Sequence, residues 1–157
     1  MIRGEDLERL AQLEEAVGGL YGLFSARFAG SAPVAEFWRN LAREETVHAA
    51  YLRAFPEDEF PPEETGTEPD DRLQVELSLR YLDRLRRRAD EIEVSLEGAL
   101  ALAYGIEHSL AERHVRARTA GGGLRRLFER LASDDDEHLA RLRSFAAGRG
   151  IFLPAGR

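Results

Sequence analysis

The run Arg43-Glu44-Glu45-Thr46-Val47-His48 decides how the rest of this chain is read. It lies inside an apolar-periodic stretch from Phe37 to Phe55. Glu45 and His48 stand three apart, so on a helix both side chains leave the same face. That face also carries Phe37, Trp38, Leu41, Leu52 and Phe55. A carboxylate and an imidazole are therefore aimed into a hydrophobic core, where unpaired polar groups are costly and need a compensating partner. The chain repeats the pattern 90 positions later: Phe128, Leu131, Asp135, His138, Leu142 and Phe145 match 38, 41, 45, 48, 52 and 55. Two copies of one buried polar pair suggest one shared compensator, and the natural candidate is metal.

The first helices of each half repeat as well. Leu13-Glu14, Val17 and Tyr21 recur as Ile106-Glu107, Leu110 and His114 at an offset of 93. At ~100° per residue, Glu107 falls within roughly 20° of the centre of its apolar face, whereas Glu14 lies about 60° off and flanks the seam. Glu15 points nearly the opposite way and is expected in solvent. Glu14 and Glu45 stand at similar distances from the Gly30-Ser31 turn, as do Glu107 and Asp135 from Gly121-Gly122-Gly123. In antiparallel hairpins, equal distance from the turn means equal height. All four helices then present a carboxylate at one level, and two add a histidine.

These elements sit in a chain whose apolar periodicity predicts helices at about 5–29, 33–55, 72–90, 95–119 and 123–147, with an irregular tail at 148–157 that docks through Ile151 and Phe152. The expected architecture is all-α: a four-helix bundle of two antiparallel hairpins joined by a long crossover that contains an extra helical segment. Ser31 and Ser95 are expected helix caps, with Pro33 in the first turn of its helix. Gly18, Gly19 and Gly22 weaken the first helix but let a neighbouring helix approach. In the crossover segment Leu73, Val75, Leu77, Leu79 and Tyr81 alternate as in a strand. A strand would have no partner among helices, so the segment reads as a helix with two apolar stripes, one for the bundle and one for a second subunit. A homodimer is predicted on that basis.

Composition narrows the function classes. With 157 residues, 43% apolar and 32% charged, the chain suits a single soluble domain over 1–157 with a sizeable core. Cysteine is absent, which excludes disulfides, thiolate metal sites and a cysteine nucleophile. A net charge of −7 without a basic face argues against nucleic-acid binding. Arg84, Arg86, Arg87 and Arg88 read as a solvated helix face. No apolar run approaches the ~20 residues needed to cross a bilayer. The amino terminus carries charges of both signs and no apolar segment, so a cytoplasmic location is expected.

Four carboxylates and two imidazoles suit a pair of first-row transition metals, iron first, with manganese or zinc also compatible. Two bridging carboxylates can hold two cations ~3.5–4 Å apart. On Glu14 with Tyr21, Phe37-Trp38 leading to Glu45 and His48, Glu107, and Asp135 with His138, the chain resembles the rubrerythrin-like, ferritin-like di-iron proteins over most of residues 5–147. The resemblance implies Glu45 and Asp135 as bridges, Glu14 and Glu107 as terminal carboxylates, His48 and His138 as one ligand to each metal, and Tyr21 as a hydrogen-bond partner behind the ligands. It further implies Fe(II) oxidation or peroxide reduction, with O2 or peroxide as oxidant. Asp135 stands where the family usually has Glu, His114 stands where a tyrosine is expected behind the ligands, and no cysteine-ligated donor domain is present. An external electron donor is therefore implied.

Simpler readings compete residue by residue. Glu14 could salt-bridge a partner helix, and Glu44 or Asp134 could replace their neighbours as ligands. His114 fits a hydrogen-bonded core histidine and Tyr21 plain core, while His108 points to the surface. At the level of function, the alternatives are a non-catalytic metal-binding or iron-sequestering protein, and a metal-free helical interaction module.

Overall fold

A computed structural model describes residues 4–60, 69–88, 94–117 and 122–153. Five α-helices occur among the described residues: α1 (Gly4–Arg27), α2 (Ala32–Arg53), α3 (Pro69–Arg88), α4 (Leu96–Ala117) and α5 (Gly122–Ala147). A 3-10 turn at Glu57–Glu59 follows α2, and no strand occurs among those residues. The alternating apolar run of the crossover is thus helical, as an unpaired strand would leave its backbone groups unsatisfied. Of the loop expected between 55 and 72, residues 61–68 lie outside the described residues and Pro69 already begins α3. The expected helix ends at 89–90 and 118–119, the turn at 120–121 and the tail beyond 153 also lie outside them.

Local signals set the described helix ends. Ser31 starts α2 through its carbonyl, which accepts from the amides of Val34 and Ala35, while Pro33 occupies the first turn. Its hydroxyl makes no capping bond. Ser95 does cap α4, its Oγ accepting from the Gly98 amide at 3.1 Å. After α5, Gly150 adopts φ +72°, a left-handed conformation suited to glycine, and the Ile151 amide donates back to the Ala146 carbonyl. Ile151 and Leu153 then pack on the core, but Phe152 is 91% exposed. Docking of the tail through Phe152 is therefore corrected: Leu153, two positions beyond Ile151, takes that place.

The core is divided. One apolar cluster holds Leu13, Val17, Trp38, Leu41, Leu100, Leu110 and Leu142. A second, towards the other end, holds Leu7, Leu10, Leu52, Leu124, Phe128 and Leu131. Between these sets, on all four long helices, lie Glu14, Glu45, His48, Glu107, His114, Asp135 and His138, each at most 3% exposed. Glu14 is fully buried, more deeply than its offset from the seam suggested. It faces α2 and α4, 3.8 Å from His48 Nδ1 and 3.5 Å from His114 Nε2, while α3 covers another side of α1 and places Val75 and Leu82 in the core clusters.

Only one stripe of α3 is consumed this way. Leu73, Leu77 and Tyr81, spaced one turn apart, remain about half exposed. Of Gly18, Gly19 and Gly22 in α1, Gly18 is the one demanded by packing. A Cβ there would stand 3.1 Å from both the Ala42 carbonyl oxygen and Glu45 Cβ, so its absence lets α2 approach at the level of Glu45. No helix among the described residues is long and apolar enough to cross a membrane.

Candidate metal centre

All eight residues singled out in the sequence converge on this polar layer. Glu14, Glu45 and His48 present ligand atoms within 4.8 Å of one another, and so do Glu45, Glu107 and His138. Glu45 belongs to both groups. Its Oε2 lies 3.4 Å from His48 Nδ1 and its Oε1 lies 3.1 Å from His138 Nδ1. One carboxylate thus divides its two oxygens between the two imidazoles, whose rings stack with centroids 5.4 Å apart. Glu14 Oε2 stands 3.8 Å from His48 Nδ1, and Glu107 Oε2 stands 3.2 Å from His138 Nδ1.

The outer atoms differ between the two sides. Tyr21 donates its hydroxyl proton to Glu107 Oε1 at 2.5 Å. Burial and the neighbouring carboxylates push the Tyr21 phenol well above its usual range, so it remains a donor. His114 has its Nδ1 2.7 Å from Asp135 Oδ2 and its Nε2 3.5 Å from Glu14 Oε1. Asp135 lies in neither of the two ligand groups. His108 is half-buried beside Tyr104, turned about 100° from Glu107 on α4.

Glu44 and Asp134 have a place that the sequence reading did not assign to them. Each precedes a motif acid, and each reaches the histidine of the other repeat. Glu44 Oε2 lies 2.8 Å from His138 Nε2, and Asp134 Oδ2 lies 3.4 Å from His48 Nε2. Arg141 also donates to Glu44, from Nη1 at 2.6 Å. The hydrogen bond from His138, helped by Arg141, holds the Glu44 carboxyl down at about 2. The signal was the doubled acid in both repeats, Glu44-Glu45 and Asp134-Asp135. These outward carboxylates orient the rings so that Nδ1 points inward.

Protonation follows from the same crowding. Burial opposes charge on His48 and His138, but the carboxylates crowded around each ring outweigh it and raise them to about 10 and about 12. Burial pushes the Glu14 carboxyl up. His114 is raised despite its burial because Asp135 accepts from it. Even so, both oxygens of Glu14 and of Glu45, His48 Nδ1, His114 Nε2 and Asp135 Oδ1 make no hydrogen bond while buried. So many orphaned donor atoms, all facing one another, are costly unless a cation binds them. The donor set of carboxylates and imidazoles fits a pair of first-row transition ions.

A cleft of about 190 Å³ leads from solvent between α2 and α5 to His48 and His138, with Tyr51, Arg130 and Arg141 on its walls. A larger groove of about 310 Å³ beside α3 and α4 is mostly apolar and holds none of the clustered polar residues.

A helical bundle with carboxylates on four helices and two acid-x-x-His motifs facing each other defines a ferritin-like protein. The Rubrerythrin family matches residues 5–146, so the chain belongs to that ferritin-like di-iron carboxylate family. Comparison with curated proteins finds no match, and neither does comparison with solved structures.

Proposed function

We propose that this protein is a di-iron oxidoreductase, oxidising Fe(II) or reducing peroxide at the centre of the bundle. The observation that carries the reading is Glu45, whose two oxygens are split between His48 and His138. Glu45 would serve both iron ions, Glu14 and His48 would hold one, Glu107 and His138 the other, and Asp135 would offer a further carboxylate oxygen, Oδ1. When bound, the iron pair supplies electrons to O2 or peroxide and so carries the redox change. Manganese or zinc fits the same donors.

The chain's own residues set the conditions for that chemistry. Glu44 and Asp134 hold the outer nitrogens of the histidines, fixing which nitrogen faces inward. Tyr21 occupies one oxygen of Glu107 and keeps it from swinging freely. Trp38, Leu41 and Phe128, all fully buried, keep bulk water from the layer. The cleft between α2 and α5, about 190 Å³, has room for a small oxidant or a single cation. Electrons for repeated turnover come from an external donor, because this sequence has no cysteine with which to bind a redox cluster through thiolates. We further propose a homodimer in the cytoplasm, with the Leu73, Leu77 and Tyr81 stripe as its contact; a monomeric sedimentation profile at micromolar concentration would remove the dimer.

Aerobic Fe(II) titration tests the main reading. Oxidation should saturate at about two irons per chain, and Glu107→Ala should abolish it. Oxidation no faster than in buffer would end the catalytic reading. Sites that fill without peroxide accelerating reoxidation would instead mark a metal-binding or iron-sequestering protein.

A further inference from the structure

The internal repeat is broken at two places, Tyr21 against His114 and Glu45 against Asp135, and the two departures touch each other. His114 Nδ1 lies 2.7 Å from Asp135 Oδ2. A histidine that merely replaced the tyrosine would do what Tyr21 does, which is to donate a hydrogen bond to the carboxylate opposite. Tyr21 reaches Glu107 Oε1 at 2.5 Å. His114 Nε2 instead stops 3.5 Å from Glu14 Oε1, and neither atom has a hydrogen-bond partner although both are buried. His114 is 0% exposed.

We propose that His114 is a metal ligand through Nε2, a third imidazole at this centre, on the Glu14 side. The inference rests on the di-metal reading of the cluster. Three features support it together. First, ligating histidines characteristically donate their second ring N–H to a carboxylate, and Asp135 is that carboxylate here. Second, donors bound at ~2.0–2.2 Å to one cation lie roughly 3.0–3.5 Å apart, which is the Nε2 to Oε1 spacing and is too long for a good hydrogen bond. Third, Asp135 keeps Oδ1 unpaired, so it can orient His114 with one oxygen and still offer the other as a donor. The shorter aspartate and the histidine therefore work as one unit. The two metal positions become unequal, the Glu14 side with imidazoles from His48 and His114, the Glu107 side with His138 and a phenol behind it.

Counting metal-bound imidazoles tests this directly. In the Co(II)-loaded protein, each ligating histidine gives one strongly shifted, solvent-exchangeable N–H proton resonance. The wild type should show three, from His48, His114 and His138, and His114→Phe should show two. His114→Phe should also weaken one of the two Co(II) binding steps by roughly 10–100-fold and leave the other near its original value. Two exchangeable resonances in the wild type would overturn the assignment without any variant, so misfolding of His114→Phe cannot hide the answer. Failure to bind Co(II) at all would overturn the di-metal reading itself, a distinguishable result.

Discussion

The two sides of the polar layer are built from the same repeat and end with different chemistry. On the Glu107 side a tyrosine saturates the terminal carboxylate at 2.5 Å and Glu44 grips His138 at 2.8 Å. On the Glu14 side the terminal carboxylate has both oxygens unpaired, and Asp134 stands 3.4 Å from His48. The Glu107 side is fixed by short hydrogen bonds before any cation arrives. The Glu14 side holds more orphaned donors, so a cation has more to gain there. The internal repeat provides the symmetric frame, and the differences at Tyr21/His114 and Glu45/Asp135 make the halves unequal.

The largest effect should come from the residue both sides share. Glu45→Leu should cost both ions more than the ~100-fold typical of losing a residue behind the ligands, whereas Glu107→Gln and Glu14→Gln should each weaken mainly one. Metal content and stepwise affinity by Co(II) titration check this. Equal, independent loss in all three variants would mean that Glu45 does not bridge.

Proton uptake gives the next test. His48 and His138 keep their protons to about 10 and about 12 in the metal-free fold, against ~6.5 in an unfolded chain. Folding therefore takes up protons, and this stabilisation is complete below pH ~6.5 and is lost as pH rises through those higher values. Glu14 and Asp135, both pushed up chiefly by burial, act in the same direction above the unfolded carboxylate range. The metal-free protein should therefore melt at progressively lower temperature from pH 7 to 10, while metal affinity rises because binding must displace the same protons. Thermal melts with and without Zn(II) across that range measure both. A metal-free Tm that climbs with pH would contradict the protonated cluster.

Smaller effects should separate the two outer carboxylates. Glu44→Gln and Asp134→Asn should each cost roughly 10–100-fold in metal affinity, with Glu44→Gln the larger because its contact is shorter and reinforced by Arg141. Smallest should be Gly18→Ala, which sets a methyl against Glu45 Cβ and the Ala42 carbonyl. About 1–3 kcal/mol of stability should go, as in other overpacked sites, with a few-fold weaker binding of both ions as Glu45 is displaced. Chemical denaturation and the same titration follow the two consequences.

Much of this was legible because helical period, turns and spacing are local. The Glu45/His48 and Asp135/His138 repeats put acids and imidazoles on buried faces, and equal distance from two glycine-bearing turns set them at one height. The two stripes of α3 could likewise be read from alternation once a lone strand was ruled out. Other features depend on which side chains meet across helices. In the sequence Glu44 and Asp134 read only as possible replacements for the neighbouring ligands, since one residue's shift is about 100° of helix. They became partners of His138 and His48 only because α2 and α5 face each other. Glu14 is buried because α2 and α4 bring His48 and His114 against it, and Phe152 is exposed because the chain reverses at Gly150.

By itself, then, the sequence determined the helices, their antiparallel pairing and the level at which a carboxylate from each helix meets two histidines. Those follow from 3.6-residue periodicity and loop length, which any reader of the chain can apply. Only the tertiary structure decided which oxygen faces which nitrogen: that Glu45 divides itself between two imidazoles, and that His114 turns one nitrogen to Asp135 and leaves the other unpaired before Glu14. Such choices depend on distances of a fraction of an ångström between helices far apart in the chain, and on the high cost of leaving buried charge uncompensated.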